Sequence, residues 1–246
     1  RHSTWVIQRT LAQRPNFLAN SLYLFGFLGL FYAAFSLFPV RAEGGAPRGG
    51  NAVMSVALVG DSLVGGNPSL YQKALEGEGL EALVSGVGSR ALRTGWQCRK
   101  DGVLQVHETK IQSNCRPEGI EQVRMWRDAG LLGDGVIVAL GTNDAALYPA
   151  KEVGSRFSAL ARLAGSRDIW VVTVAKLGGG KRQERVKAWN DAARSWCSKR
   201  PRCHMIEWAS QPQARAKASY TADGVHLTGT GLSARASFIA DTVAAG

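Results

Sequence analysis

The chain has 246 residues, enough for one substantial domain with a real core, and its 45% hydrophobic content suits a globular protein carrying one extra apolar segment. Its formal net charge of +11 draws it toward anionic lipid head groups or acidic envelope polymers. Nucleic acid, another common partner of basic chains, is excluded for want of any recognisable binding module.

Residues 1–16 read as a juxtamembrane segment, and residues 17–40 as the extra apolar one. The second stretch is uncharged and apolar or aromatic on every face, and as a helix it would span about 30 Å or slightly more. The expectation is a single transmembrane helix. A cleavable signal peptide is the alternative, since Val40-Arg41-Ala42 loosely resembles a small-residue cleavage site, but the apolar region of such peptides runs only about 7 to 15 residues. Arg1, Arg9 and Arg14 precede the segment, and Arg41, Glu43 and Arg48 follow it, which places the N-terminus inside and the remainder outside. Residues 41–51 form a glycine-rich linker with too little apolar content to pack.

From residue 52 to 246 apolar runs alternate with helical patterns. Strands are predicted near residues 53–59, 82–85, 136–140, 169–174 and 204–208, and helices near 69–78, 118–129, 150–164, 183–197 and 231–244. Such alternation implies a parallel sheet covered on both faces, a flavodoxin-like three-layer α/β/α sandwich with its site at the carboxyl ends of the strands. Residues 95–116 break the pattern and read as an insertion, either one wall of a substrate cleft or a stapled surface hairpin.

Four cysteines fall as two sequence-local pairs, Cys98 with Cys115 and Cys197 with Cys203. Three connectivities are open to four cysteines, and nearest-neighbour pairing is the simplest. Two disulfides would imply an oxidising compartment such as a periplasm or cell exterior. Metal binding is the alternative reading, but there is no C-x-x-C, and His204 beside Cys203 reads as a loop residue, so neither metal nor other cofactor is expected. Excess positive charge gathers at Lys176, Lys181, Arg182, Arg185, Lys187, Arg194, Lys199, Arg200 and Arg202, either as an anion-seeking surface or as a merely solvated face.

Three short motifs carry the chemistry: Gly60-Asp61-Ser62-Leu63, Gly141-Thr142-Asn143-Asp144 and Asp223-Gly224-Val225-His226. Ser62 follows an apolar run and precedes a helical pattern, so it should sit exposed where strand hands over to helix, as a nucleophile must. Asp223 stands three residues before His226, close enough to orient the ring while the other ring nitrogen takes the Ser62 proton. The Asn143 amide can donate to a developing oxyanion. Asp61 and Asp144 read as turn or helix caps. His2 lies outside the domain, His107 falls in the insertion and His204 has no acid at the same spacing, so His226 is the candidate base.

In type, order and spacing these residues resemble the SGNH hydrolases, also called GDSL esterases, over roughly residues 53–243. The resemblance implies a serine esterase or acyltransferase in which Gly88 supplies a backbone N–H to an oxyanion hole shared with Ser62 N–H and Asn143. Arg90, Arg93 and Trp96, just beyond Gly88, would line a sugar site or serve structure alone. The opening Ser3-Thr4-Trp5-Val6-Ile7-Gln8-Arg9-Thr10 looks like the end of the acyltransferase-3 membrane domain, with Gln8 and Thr10 where that pattern has Glu and Pro. An ordinary juxtamembrane segment is the other reading. Because the chain opens on Arg1 and not Met, it reads as a fragment or processed product.

Some acyltransferase-3 proteins carry a last transmembrane helix, a linker and an extracytoplasmic SGNH domain that acylates envelope glycans. The expected protein is therefore a membrane-anchored, extracytoplasmic O-acyltransferase or acetylesterase whose partners are an acyl donor, an envelope glycan and the membrane. A stand-alone esterase of small acyl esters and a catalytically silent glycan-binding module are the alternatives.

Overall fold

Five short runs of apolar residues become strands: β1 (Ser55–Gly60), β2 (Glu81–Gly86), β3 (Gly135–Ala139), β4 (Asp168–Val172) and β5 (Cys203–Ile206). In the computed structural model, which describes residues 53–93, 118–175 and 180–246, they form one parallel sheet in the order β2-β1-β3-β4-β5. Every residue of β3 is buried, as expected of a strand covered on both faces.

The helices are α1 (Ser62–Gly65), α2 (Pro68–Gly77), α3 (Gly119–Asp128), α4 (Thr142–Leu147), α5 (Val153–Ala164), α6 (Lys181–Cys197), α7 (Pro212–Arg215) and α8 (Gly229–Ala244). Strand side chains alternate between two cores. Ala57, Val59, Val136 and Val138 face Trp126 of α3, Phe157 of α5 and Trp189 of α6, whereas Val56, Leu58 and Ile137 face Tyr71 of α2 and Ile239 of α8. The result is an α/β fold with helices on both faces of a parallel sheet.

The chain reverses direction across the sheet at β1, which lies between β2 and β3. Gly60 pairs with Gly86 on one side and Ala139 on the other, so three strands end level and hand over to loops side by side. Crevices at such switch points are where this class of sheet binds ligands.

Several expected element boundaries shift, two of them into 3₁₀ turns. The helix expected over residues 150–164 is a 3₁₀ turn, Ala150–Glu152, followed by α5, and β5 stops at Ile206 because Trp208 opens another 3₁₀ turn, Trp208–Ser210. Cys197, closing α6, and Cys203, opening β5, form a disulfide with Cα atoms 5.1 Å apart. The expected transmembrane segment 17–40, the linker 41–51, Trp96, Lys176, His107 and the Cys98–Cys115 pair lie outside the described residues. Among the described residues no helix is long and apolar enough to cross a membrane.

Candidate active site

Ser62 is the first residue of α1, immediately beyond the end of β1. The turn is sharp: a Cβ on Gly60 would lie 2.2 Å from a Val64 methyl. Asp61 caps α1 by accepting the Leu63 N–H at 2.9 Å, and its carboxyl is almost wholly buried. Burial pushes the Asp61 carboxyl above its ordinary range, opposed by the Arg235 charge, the Leu63 N–H, the Thr142 side chain and Arg90.

His226 reaches Ser62 from the loop before α8. Its Nε2 stands 3.1 Å from Ser62 Oγ, and its Nδ1 stands 2.6 Å from Asp223 Oδ2. The loop is built to hold that geometry. Gly224 turns the chain at φ +68°, and an antiparallel bridge between Tyr220 and Leu227 closes the loop. The other Asp223 oxygen accepts from the Val225 N–H at 2.8 Å, the His226 N–H at 2.9 Å and the Thr221 hydroxyl at 2.8 Å.

His226 and these three donors hold the Asp223 carboxyl well below the usual carboxylate range, His226 contributing most. Asp223 is therefore an ionised acceptor, and that sets the tautomer. Nδ1–H of His226 donates to Asp223, which leaves Nε2 bare to accept the Ser62 O–H. Both side chains are about half exposed, at 50% for His226 and 49% for Asp223, so the hydroxyl is open to a substrate.

Asn143 enters from the next strand. Gly141 sits at φ +125°, where a Cβ would lie 2.4 Å from Trp189 Nε1, and that turn starts α4 directly after β3. Asn143 Nδ2 donates to the Arg90 carbonyl at 2.9 Å, tying α4 to the loop after β2. Gly88 is exposed on that loop. Among the described residues neither the Ser62 N–H nor the Gly88 N–H meets an acceptor, so two free backbone donors and the Asn143 amide stand at the level ends of three adjacent strands. Free donors in that position suit an oxyanion.

No protein-family model matches the chain, and no curated protein matches it. Solved structures do match. The C-terminal catalytic domain of Streptococcus pneumoniae peptidoglycan O-acetyltransferase A, bearing a methylsulfonyl adduct, aligns with a TM-score of 0.55 at 16% identity, covering 79% of this chain and 93% of that domain. A lipase/acylhydrolase from Enterococcus faecalis gives 0.57 at 15% identity, with 78% and 96% covered. The psychrotrophic esterase EstA from Pseudoalteromonas sp., inhibited by monoethylphosphonate, gives 0.54 at 13% identity, with 77% and 96% covered. The chain has the SGNH hydrolase fold.

Within that SGNH fold, the expected sugar-site residues separate. Arg93 is exposed beside the site, but Arg90 is not available to a substrate, which corrects the expectation for it. The residue is 3% exposed, and its guanidinium donates to the Gly60 carbonyl at 3.2 Å, the Ser85 carbonyl at 2.9 Å and the Ser85 hydroxyl at 3.1 Å, so it ties the ends of β1 and β2 together from inside. Burial lowers Arg90 to about 9, with the Asp61 charge resisting the fall.

Asp144 also differs from its expected capping role. Fully buried, it accepts the Leu92 N–H on both oxygens, at 2.9 and 3.1 Å, and pairs with Arg156 at 3.4 Å. Burial pushes Asp144 up to about 7, against the pull of the Leu92 N–H and the Arg156 charge. Arg156 in turn donates to the Arg93 carbonyl. The segment from Gly88 to Arg93 is thus held at Arg90, Leu92 and Arg93 from α4 and α5.

Two features escaped sequence reasoning. Ser89, between Gly88 and Arg90, takes a left-handed φ of 62°, the only non-glycine to do so among the described residues. His204 does have an acid partner, Asp168, at 3.1 Å across the β4–β5 pair, but both lie toward the amino ends of their strands, away from Ser62. A cavity of about 290 Å³ lined by Leu147, Tyr148, Pro149, Arg185 and Trp189 opens at the far end of α4. Leu147 is 63% exposed and follows Asn143 by one helical turn, so the two share a face of α4.

Proposed function

We propose that this chain is a membrane-anchored, extracytoplasmic serine O-acyltransferase that acetylates a cell-envelope glycan through an acyl-Ser62 intermediate. One observation carries the reading: the unbroken relay from Ser62 Oγ to His226 Nε2 at 3.1 Å and from His226 Nδ1 to Asp223 Oδ2 at 2.6 Å. Ser62 Oγ attacks the donor's ester carbonyl while His226 takes its proton, and Asp223 stabilises the imidazolium formed. The oxyanion is received by the N–H groups of Ser62 and Gly88 with the Asn143 amide. As the tetrahedral intermediate collapses, the donor's alkoxide leaves with the proton from His226. A sugar hydroxyl, deprotonated by the same His226, then attacks acyl-Ser62, and His226 returns that proton to Ser62 Oγ as the ester bond to the serine breaks.

Support for transfer comes from the catalytic domain of the pneumococcal peptidoglycan O-acetyltransferase, which shares the fold. The apolar segment 17–40 and the acyltransferase-3-like opening support the anchor and the outward placement. A hydrolytic reading is favoured by the acylhydrolase and esterase among the same neighbours, and it differs only in that water takes the acyl group.

The test is partition. An acetyl donor is supplied to the full chain with envelope oligosaccharides, and acetylated sugar is compared with free acetate by mass spectrometry. A bound acceptor gains an effective molarity of up to about 10⁵ M or more, so acetylated sugar is expected to dominate. Free acetate as the sole product across peptidoglycan fragments, lipopolysaccharide sugars and arabinogalactan pieces would favour the esterase.

A further inference from the structure

Beneath Ser62 lies a buried polar relay that the acyl-transfer steps do not use. Arg235, on α8, is 3% exposed, and its Nη1 donates to Tyr71 Oη at 3.0 Å. Tyr71, on α2 and 1% exposed, passes the interaction on, its hydroxyl donating to the Leu63 carbonyl at 2.9 Å. The guanidinium also stands 5.7 Å from the Tyr71 ring centroid. On the other side of Ser62 lies Asp61, 1% exposed, for which Arg235 is the foremost charge favouring the carboxylate. Both neighbours of Ser62 are therefore coupled to one arginine, Leu63 through a hydroxyl and Asp61 through the field.

The arginine's own position makes that coupling useful. α8 starts from Thr228, two residues after His226, and Thr228 fixes the helix start by donating its N–H to the Ser219 carbonyl at 2.9 Å and by accepting the Gly231 N–H on its hydroxyl oxygen. α8 also packs along α2, which carries Tyr71. A shift of α8 moves the base, and a shift of α1 moves the nucleophile. The arginine bridges the two.

We propose that Arg235 is a positioning residue for the Ser62–His226 pair, locking the nucleophile turn to the helix that follows the base through Tyr71. The proposal rests on the reading of Ser62 as nucleophile. A bare structural arginine would stabilise the fold without touching the reactivity of Ser62. A positioning arginine sets the distance between Oγ and Nε2, and loss of about 1 Å of alignment lowers reaction rate on the order of 10²-fold.

The experiment measures the rate at which an active-site phosphonate labels Ser62 in the full chain, at a temperature where circular dichroism shows each variant folded, together with kcat and KM on p-nitrophenyl acetate. Arg235→Met is expected to label about 10²-fold more slowly and to lose kcat with KM unchanged. Arg235→Lys should recover part of the rate, because a cationic donor within reach of the Tyr71 hydroxyl returns. Tyr71→Phe, which keeps the ring and removes only the relay hydroxyl, is expected to slow labelling about tenfold. Combined with Arg235→Met it should add little, since both act on one turn. If Arg235→Met does not fold, Tyr71→Phe decides alone. Folded variants that label at the parental rate, whatever their melting temperature, would overturn the proposal. A parent that is not labelled at Ser62 would instead remove the nucleophile reading on which it rests.

Discussion

Asn143 carries two amide N–H groups, and the Arg90 carbonyl occupies one of them at 2.9 Å. The bond fixes the amide plane before any substrate arrives, so on the proposed acyl-transfer reading no reorganisation is needed when charge develops on the carbonyl oxygen. Asn143→Ala should lower kcat by about 10²- to 10³-fold with little change in KM, read from steady-state hydrolysis of p-nitrophenyl acetate. A change in KM alone would assign Asn143 to substrate binding. Its neighbour Asp144 predicts a pH effect on stability. Burial holds Asp144 up at about 7, whereas an unfolded aspartate titrates near about 3.9. Between those values the folded chain keeps a proton that the unfolded chain has lost. The contribution is therefore fully present below about pH 4 and disappears as pH rises through about 7. Asp144→Asn, neutral throughout, escapes that loss. Unfolding free energies from urea titrations should drift in favour of the variant from pH 4 to pH 8, by up to about 1.4 kcal/mol for each pH unit in the window. Parallel pH profiles for parent and variant would show that Asp144 is ionised in the folded protein.

Two small helices aim the site, and both are made by glycines. A Cβ on Gly86, at the end of β2, would lie 2.3 Å from the Gly65 nitrogen, so α1 lies backbone to backbone against that strand. Gly86→Ala must push α1 away and carry Ser62 with it. We expect a stability loss of about 1–3 kcal/mol in urea unfolding and a fall of about 10²-fold in the rate of the p-nitrophenol burst. A burst at the parental rate would mean that α1 is not held by this contact. These elements were also the hardest to foresee. The five strands and five longer helices follow from apolar runs and from 3.6-residue periodicity. α1 spans four residues and α4 six, too short for a periodic pattern, and their presence depends on Asp61 as a cap and on Gly141 at positive φ. Nor does anything in a Gly88-Ser89-Arg90 run indicate that Ser89 is the residue to adopt the left-handed conformation.

On the scale of the whole molecule, the two sequence-distant halves of the site meet because the sheet order brings the end of β1 beside the ends of β2 and β3, while the loop before α8 returns His226 across 164 residues. The groups of the candidate site were legible because each sits in a short local motif: Asp61 beside Ser62, Asp223 three residues from His226, Asn143 after a strand. The supports were not. Asp144 with Leu92, Arg235 with Tyr71, and Arg90 with Ser85 and Gly60 join residues with no shared spacing, and only the folded chain shows that Arg90 faces inward. The central claim is that this convergence makes Ser62 a nucleophile activated by His226. Intact-mass spectrometry of the full chain after exposure to an active-site phosphonate tests it most directly. One adduct on the parent and none on Ser62→Ala is the predicted result, whereas labelling that persists in Ser62→Ala, or a folded parent that never labels, would contradict it.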